Sequence, residues 1–401
     1  MVTTKLIMLG FVIHTSPPIA HAAKEYSYRR ICTTICHRHG DRTSITALKD
    51  EDYWRSTLPK PETLKEIARG TTLIRSDKST THSANPKGCW GKLTQLGLLQ
   101  MIAVGSQLKE ELTDASNPLS PKDIRVVSTD FPRTIQSAQA VILGLWPDGI
   151  PEGEGVAIDC RHTHWMIPDP QPRNSEEQKQ LEQYLISRPY MIQKEEEMRP
   201  IAVRCTNALK EHLGQNAFGI KMGIDVPVGD DENILPWAQL AEITCCLHTR
   251  DRLPKGITPQ DKIAISSHLA WRWFQSLRHP RLANLAMNKF ATEIVNDMQP
   301  ITHNPRLTIY SCHDSSLVGL VCAFNLEAPA SWPEYGSVLR VDLLERKAAV
   351  RNGSNSEHNE LLVRFSLNGE LLRSLWDGEP CDEILLEKLC QYLKTVGATK
   401  E

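Results

Sequence analysis

Four things are missing from this chain of 401 residues, and each absence removes a class of function. After the first residues, no apolar run approaches the ~20 residues needed to cross a bilayer, so no later segment reads as a membrane helix. Charge of either sign is not in excess: the formal net charge is -2, which excludes a broad basic field for nucleic acid or anionic lipid. No C-x-x-C pair occurs among the 11 cysteines, which argues against a structural zinc site. Internal repeats and low-complexity tracts are absent too. Any positive potential must therefore be local, and clustered arginines become the feature to follow.

The length predicts two lobes, or a core with a large insertion. Residues 1–22 read as a secretory signal: Lys5, an apolar run over 6–13, then Ala20-His21-Ala22 as a small-x-small cleavage site. The mature protein is then expected to be secreted or lumenal, with no stable membrane insertion after cleavage. All cysteines lie beyond Ala22, which suits an exported protein with several disulfides. Their odd number leaves one free or pairing between chains, so a homodimer is allowed. Cys32, Cys36 and Cys312 also suit small buried side chains. Asn352-Gly353-Ser354 is a glycosylation sequon in a polar loop.

Three segments share one plan of strand, tight turn, polar residues and helix. The first is a β-branched run over 28–36 that leads into Arg38-His39-Gly40-Asp41-Arg42. The second covers 124–128 and ends at Asp130; a helix follows with Pro132 in its first turn and Ile135, Ala138, Ile142 and Leu145 on one face. The third covers 307–312 and ends at His313-Asp314, before the apolar residues Leu317, Val318, Leu320 and Val321. Between the first two, residues 94–112 predict a helix capped by Thr94, with Leu96, Leu99, Ala103 and Leu108 toward the core. Prolines and glycines over 147–172 break the pattern, and a charged, helix-rich stretch follows over 176–250, with a loop at 229–232. A helix over 285–298, a hairpin from 336–344 and 361–365 around the Asn352 loop, and a C-terminal helix over 382–396 complete the reading. The expected fold is α/β: a mixed, mainly parallel sheet sandwiched by helices, with an inserted α-helical cap. The core is placed at 23–146 and 255–401, and the cap at 147–254.

In such a sheet, ligands bind beyond the carboxyl ends of the strands, where all three segments deliver polar residues. A phosphoryl group has three outer oxygens that need donors, and planar guanidinium forks fit them better than lysine does. Arg38, Arg42 and Arg133 can surround one phosphate, with His313 as a fourth donor. His39 between arginines resists protonation, so its neutral imidazole is available for attack. A covalent phosphohistidine splits one displacement into two easier ones. The leaving oxygen needs a proton, and Asp314 is the best-placed carboxyl; burial and phosphate raise its pKa while the arginines oppose them. Gly40 is read as leaving room for substrate to approach the backbone.

These motifs resemble those of the histidine acid phosphatases, the acid phosphatase and phytase branch of the histidine phosphatase superfamily. Arg38 to Ser44 matches Arg-His-Gly-x-Arg-x-Pro, with Ser44 in place of the usual proline. Ser128 to Thr134 matches Ser-Thr-Asp-x-x-Arg-Thr, and His313-Asp314 the His-Asp element. Leu93-Thr94-x-x-Gly97-x-x-Gln100 and Tyr335-Gly336-Ser337 resemble secondary signatures. Val127 stands where many members carry a basic residue. The resemblance implies His39 as the phosphorylated nucleophile, Asp314 as proton donor, and Arg38, Arg42, Arg133 and His313 as phosphate ligands. It also implies a small phosphorylated substrate, with no cofactor and no metal; Ser315 and Ser316 give no support to phytase-type specificity.

Rival readings are a phosphomutase or sugar-bisphosphatase sharing the Arg-His-Gly nucleophile, and an inactive member kept for binding. The late His-Asp pair and the leader oppose the first; the presence of all six site residues opposes the second. Elsewhere, His162 and His164 lack a third metal ligand, Trp271, Trp273 and Phe274 read as helix core, and Arg161 and Arg173 as solvated surface. Vicinal Cys245-Cys246 reads as a packing or disulfide feature.

Overall fold

The computed structural model describes residues 27–75, 88–113, 117–162, 165–168, 176–214, 234–299, 305–329, 331–347, 359–376 and 379–398. The leader, the Asn352 sequon, His164, Arg173 and the loop over 229–232 lie outside these residues.

Nine strands form one sheet. They are β1 (Ser27–Arg38), β2 (Thr71–Ile74), β3 (Ile124–Thr129), β4 (Val156–Arg161), β5 (Leu307–Cys312), β6 (Val338–Lys347), β7 (Glu360–Leu367), β8 (Glu370–Leu372) and β9 (Glu383–Leu385). The order is β2-β4-β3-β5-β1-β6-β7-β8, with β9 also on β7. From β2 to β1 all pairings are parallel; from β1 onward they are antiparallel. The mixed, mainly parallel sheet expected from the sequence is present. Strands β2 and β4 are absent from the sequence reading: β2 is four residues long and mostly exposed, and β4 hides among the prolines and glycines of 147–172.

Eleven α-helices are described: α1 (Glu51–Ser56), α2 (Pro61–Ala68), α3 (Gln95–Leu112), α4 (Pro132–Leu145), α5 (Glu176–Ile186), α6 (Pro189–Leu209), α7 (Trp237–His248), α8 (Pro259–Leu277), α9 (Pro280–Asp297), α10 (Asp314–Ala323) and α11 (Leu386–Ala398). Helices α5 to α9 all fall between β4 and β5. Successive strand residues point to opposite faces, and two cores result. Ile35, Val126 and Ile309 join the core under α3 and α4, whereas Cys36, Val127 and Tyr310 join the one under α9 and α10.

Helix α3 corrects its expected inward face. Leu96, Leu99 and Ala103 are exposed, and Gly97, Leu98, Met101, Gly105 and Leu108 are buried. Small residues let the backbones meet: a Cβ on Gly105 would fall 2.1 Å from the Val141 carbonyl oxygen of α4. Trp273 and Phe274 are buried in α8 as expected, with Trp271 half-buried.

The expected disulfides are not formed. All 11 cysteines are free, and eight of them are buried. Cys32, Cys36, Cys205, Cys246, Cys312 and Cys322 lie within the larger core as small apolar side chains. Cys245 and Cys246 are neighbours on regular α7 and remain thiols.

Candidate active site

Strands β3, β5 and β1 lie side by side in parallel, with Arg38 opposite Cys312 and Ser128 opposite Ser311. Their carboxyl ends are therefore level, and the three polar turns meet there. Backbone bonds pin the loop after β1: the His39 amide donates to the Cys312 carbonyl (3.1 Å), the Arg38 amide to Ser337 (2.9 Å), and the Gly336 amide to the His39 carbonyl (3.2 Å).

His39 is 2% exposed. Its Nδ1 lies 2.8 Å from the Gly40 carbonyl oxygen. That bond requires the proton on Nδ1, so the lone pair sits on Nε2. Burial, then Arg133 and Arg38, hold the imidazole well below its ordinary pKa. The His313 ring stands edge-on to it at 5.6 Å between centroids, and the Tyr335 ring lies at 5.8 Å. His313 Nε2 is 3.0 Å from Thr129 Oγ1, and its Nδ1 is 3.5 Å from Arg133 Nη2. Burial and Arg133 lower its pKa as well.

Three guanidiniums converge here. Arg38 donates through Nη1 to the Pro333 carbonyl (2.7 Å) and through Nη2 to Asp314 Oδ2 (2.9 Å), with Cζ 4.0 Å from the Tyr335 ring centre. Arg42 donates through Nη1 to Glu242 Oε1 (2.7 Å) and the Thr43 carbonyl (3.0 Å). Arg133 rests its Cζ 4.3 Å from the Phe131 ring centre. Burial, then repulsion from Arg42, lowers its pKa to about 9, so it remains a cation under neutral and acid conditions. In all three, Nε is buried and has no hydrogen-bond partner. Buried donors left over in this way cost stability unless a ligand takes them.

Asp314 opens α10 beside His313. Its Oδ2 accepts from Arg38 and from the Trp332 indole (2.9 Å), and its Oδ1 from the Ser315 amide (2.8 Å). Burial pushes its pKa up, but Arg38 and the Trp332 bond outweigh it and the net shift is downward. The structure thus brings together all six residues singled out from the sequence: His39, Arg38, Arg42, Arg133, His313 and Asp314.

Gly40 has a different reason from the one first read. A Cβ there would fall 2.2 Å from the Gly97 carbonyl oxygen, so the glycine admits helix α3 and not a substrate. Thr94 caps α3 by accepting from the Gly97 amide (3.1 Å) and donates to Asp41 Oδ2 (2.5 Å). Arg161 binds Asp159 and Glu293 (2.7 Å each); it is neither solvated surface nor part of this site.

Sequence reasoning missed Glu242, Arg250 and Trp332. Glu242 and Arg250 come from the inserted helices, 200 residues or more away in the chain from Arg42 and Asp41, and no local pattern marks them. Tyr335 was legible only as part of a secondary signature, without a role.

Comparison with known proteins supports the same frame. Residues 31–216 match the model of the histidine phosphatase superfamily (branch 2). Counting factor 60 of Dictyostelium discoideum is 24% identical over 360 residues, 84% of this chain and 79% of that protein. Human lysosomal acid phosphatase is 22% identical over 328 residues, 80% of this chain and 67% of that protein. Hafnia alvei phytase in complex with tartrate superposes with a TM-score of 0.59 at 13% identity, covering 92% of this chain and 97% of its own. Multiple inositol polyphosphate phosphatase of Bifidobacterium longum, in complex with phosphate, gives 0.52 at 13% identity, covering 93% and 94%. At such identities the solved structures establish a common fold. The match to the family's own model goes further: this chain belongs to the histidine phosphatase superfamily, branch 2, and is a phosphoric monoester hydrolase.

Proposed function

We propose that the chain hydrolyses small phosphomonoesters through a covalent phosphohistidine on His39, with Asp314 protonating the leaving group. One observation supports this above the rest: three buried guanidiniums each keep an unused Nε–H beside a neutral imidazole. An anion with several acceptor oxygens satisfies that arrangement, and a phosphoryl group adds an electrophile within reach of Nε2.

In the first half-reaction, the lone pair of His39 Nε2 attacks phosphorus while the bond to the ester oxygen breaks. Arg38, Arg42, Arg133 and His313 stabilise the equatorial oxygens. Asp314 gives its proton to the departing oxygen. In the second, water attacks the phosphohistidine, Asp314 takes a proton back, and His39 leaves with its Nε2 lone pair restored. Asp314 is held ionised in the free enzyme by Arg38 and Trp332. A phosphate that engages Arg38 weakens that hold and adds negative charge nearby, and both raise the carboxyl pKa. Mild acid therefore favours the substrate-bound, protonated form. The arginines supply the positive charge, so the mechanism calls for no metal or cofactor.

Helices from the 147–254 insertion stand over the site and are suited to act as a cap that selects the leaving group. The leader over 1–22 and relatives named lysosomal acid phosphatases support a secreted or lumenal location.

His39→Ala decides the mechanism. It is expected to lower turnover of an aryl phosphate by roughly 10⁴-fold or more while the protein stays folded by circular dichroism. Full activity in that variant removes His39 as nucleophile. Vanadate is expected to inhibit the parent, and a chelator to leave the rate unchanged.

A further inference from the structure

Glu242, Cys246 and Arg250 follow one another at intervals of four along α7 and just past its end, and this spacing places them on one face. All three reach the loop after β1. Glu242 Oε1 accepts from Arg42 Nη1 (2.7 Å) and the Ile45 amide (2.6 Å), and Oε2 accepts from Ser44 Oγ (3.1 Å). Cys246 Sγ lies 3.6 Å from the Arg42 carbonyl oxygen and 3.3 Å from the Tyr335 hydroxyl. Arg250 holds Asp41 through both nitrogens, at 2.5 and 3.2 Å.

The Glu242–Arg42 pair is buried on both sides. A carboxylate with three donors around it has few geometries open to it. A guanidinium has two usable edges. With Arg42 Nη1 bound to Glu242 and to the Thr43 carbonyl, the edge formed by Nε and Nη2 is left, and Nε has no partner. That edge is the fork that fits two oxygens of one phosphate.

We propose that α7 is a splint for the catalytic loop, and that Glu242 is a positioning residue which fixes the edge of Arg42 that meets phosphate. Its carboxylate sets direction through reach and acceptor geometry; Ser44 and the Ile45 amide hold the carboxylate in turn. The inserted helices thereby contribute to phosphate binding itself, besides standing over the leaving group. This rests on the phosphatase reading for the identity of the anion.

The test measures inorganic phosphate binding by calorimetry, with kcat and KM for an aryl phosphate beside it. Glu242→Asp keeps the charge but shortens the reach, and is expected to weaken phosphate binding roughly 10- to 100-fold. Glu242→Gln keeps the reach and the acceptor oxygen for Arg42 and Ile45, and is expected to recover most of that loss, to within about threefold of the parent. Both variants leave buried Arg42 a partner, so folding is retained; thermal melts check this. In an Arg42→Lys background there is no edge to select, and Glu242→Asp should then cost less than about threefold. Equal losses for Asp and Gln, no loss for Asp, or an undiminished loss in the Arg42→Lys background would each overturn the proposal. A protein that binds phosphate in this pattern yet hydrolyses nothing would sink the hydrolase mechanism and leave the role of Glu242 standing.

Discussion

Two groups of arginines sit around the same central strands, and they are solved in opposite ways. In the first, Arg125 of β3 and Arg161 of β4 share Glu293, Asp297 and Asp159, with the Tyr310 hydroxyl 2.6 Å from Asp297. Two cations face three carboxylates, and the atom left over is an acceptor, Asp159 Oδ1. In the second, Arg38, Arg42 and Arg133 face only Glu242 and Asp314, and the atoms left over are three donors. The first group ties α9 to the sheet. The second carries an unmet demand for an anion. The presence of arginines at a strand end does not distinguish the two; the balance of donors and acceptors does.

The largest effect should come from removing a cation from the donor-rich group. Arg133→Ala is expected to lower kcat/KM for an aryl phosphate by roughly 10²- to 10³-fold and to weaken inorganic phosphate inhibition. A loss below about threefold would make Arg133 equivalent to the paired arginines and erase the contrast.

Asp314→Asn should come next. An alkyl phosphate, whose leaving oxygen needs a proton, is expected to slow by roughly 10²-fold or more, and an aryl phosphate by far less. Equal slowing of the two would remove Asp314 as general acid.

Stability should also report the difference. His37, His39 and His313 are held neutral, His37 by burial at about 4. Their folded pKa values lie below the unfolded value near 6.5. As pH falls below about 6.5, the unfolded chain binds protons that the folded chain does not. Each histidine then costs about 1.4 kcal/mol per pH unit. Asp314 is shifted downward too, but as a carboxylate its contribution is present above its unfolded value and is lost only at lower pH. The melting temperature should therefore drop between about pH 6.5 and 4, and inorganic phosphate should offset the share due to His39 and His313. A flat profile would mean that these imidazoles are not held neutral.

The smallest functional effect should follow from Glu293→Gln in the acceptor-rich group. It is expected to cost about 1–3 kcal/mol of stability, since this pair is only partly buried. Inorganic phosphate affinity should stay within about twofold of the parent. A large loss of phosphate binding would join the two groups into one site.

Much of this was legible beforehand because it is local. β-branched runs over 28–36, 124–128 and 307–312 became β1, β3 and β5, and Pro132 took the first turn of α4. The turns after these strands carried the six site residues. What failed was also local in form but decided elsewhere. Periodicity put Leu96 and Leu99 inward, yet Gly97 and Gly105 face the core because backbones approach each other there. The cysteine count suggested disulfides, yet burial in the core accounts for most of these side chains.

By itself, the sequence determined which residue types would stand at each strand end, since hydrophobic alternation and turn chemistry act over a few residues. Only the tertiary structure decided how each charge is satisfied. Glu242 meets Arg42, Arg250 meets Asp41, and Trp332 meets Asp314 through contacts between distant parts of the chain. Coulomb and hydrogen-bond energies depend on distances of a few ångströms, and no spacing along the chain encodes those distances.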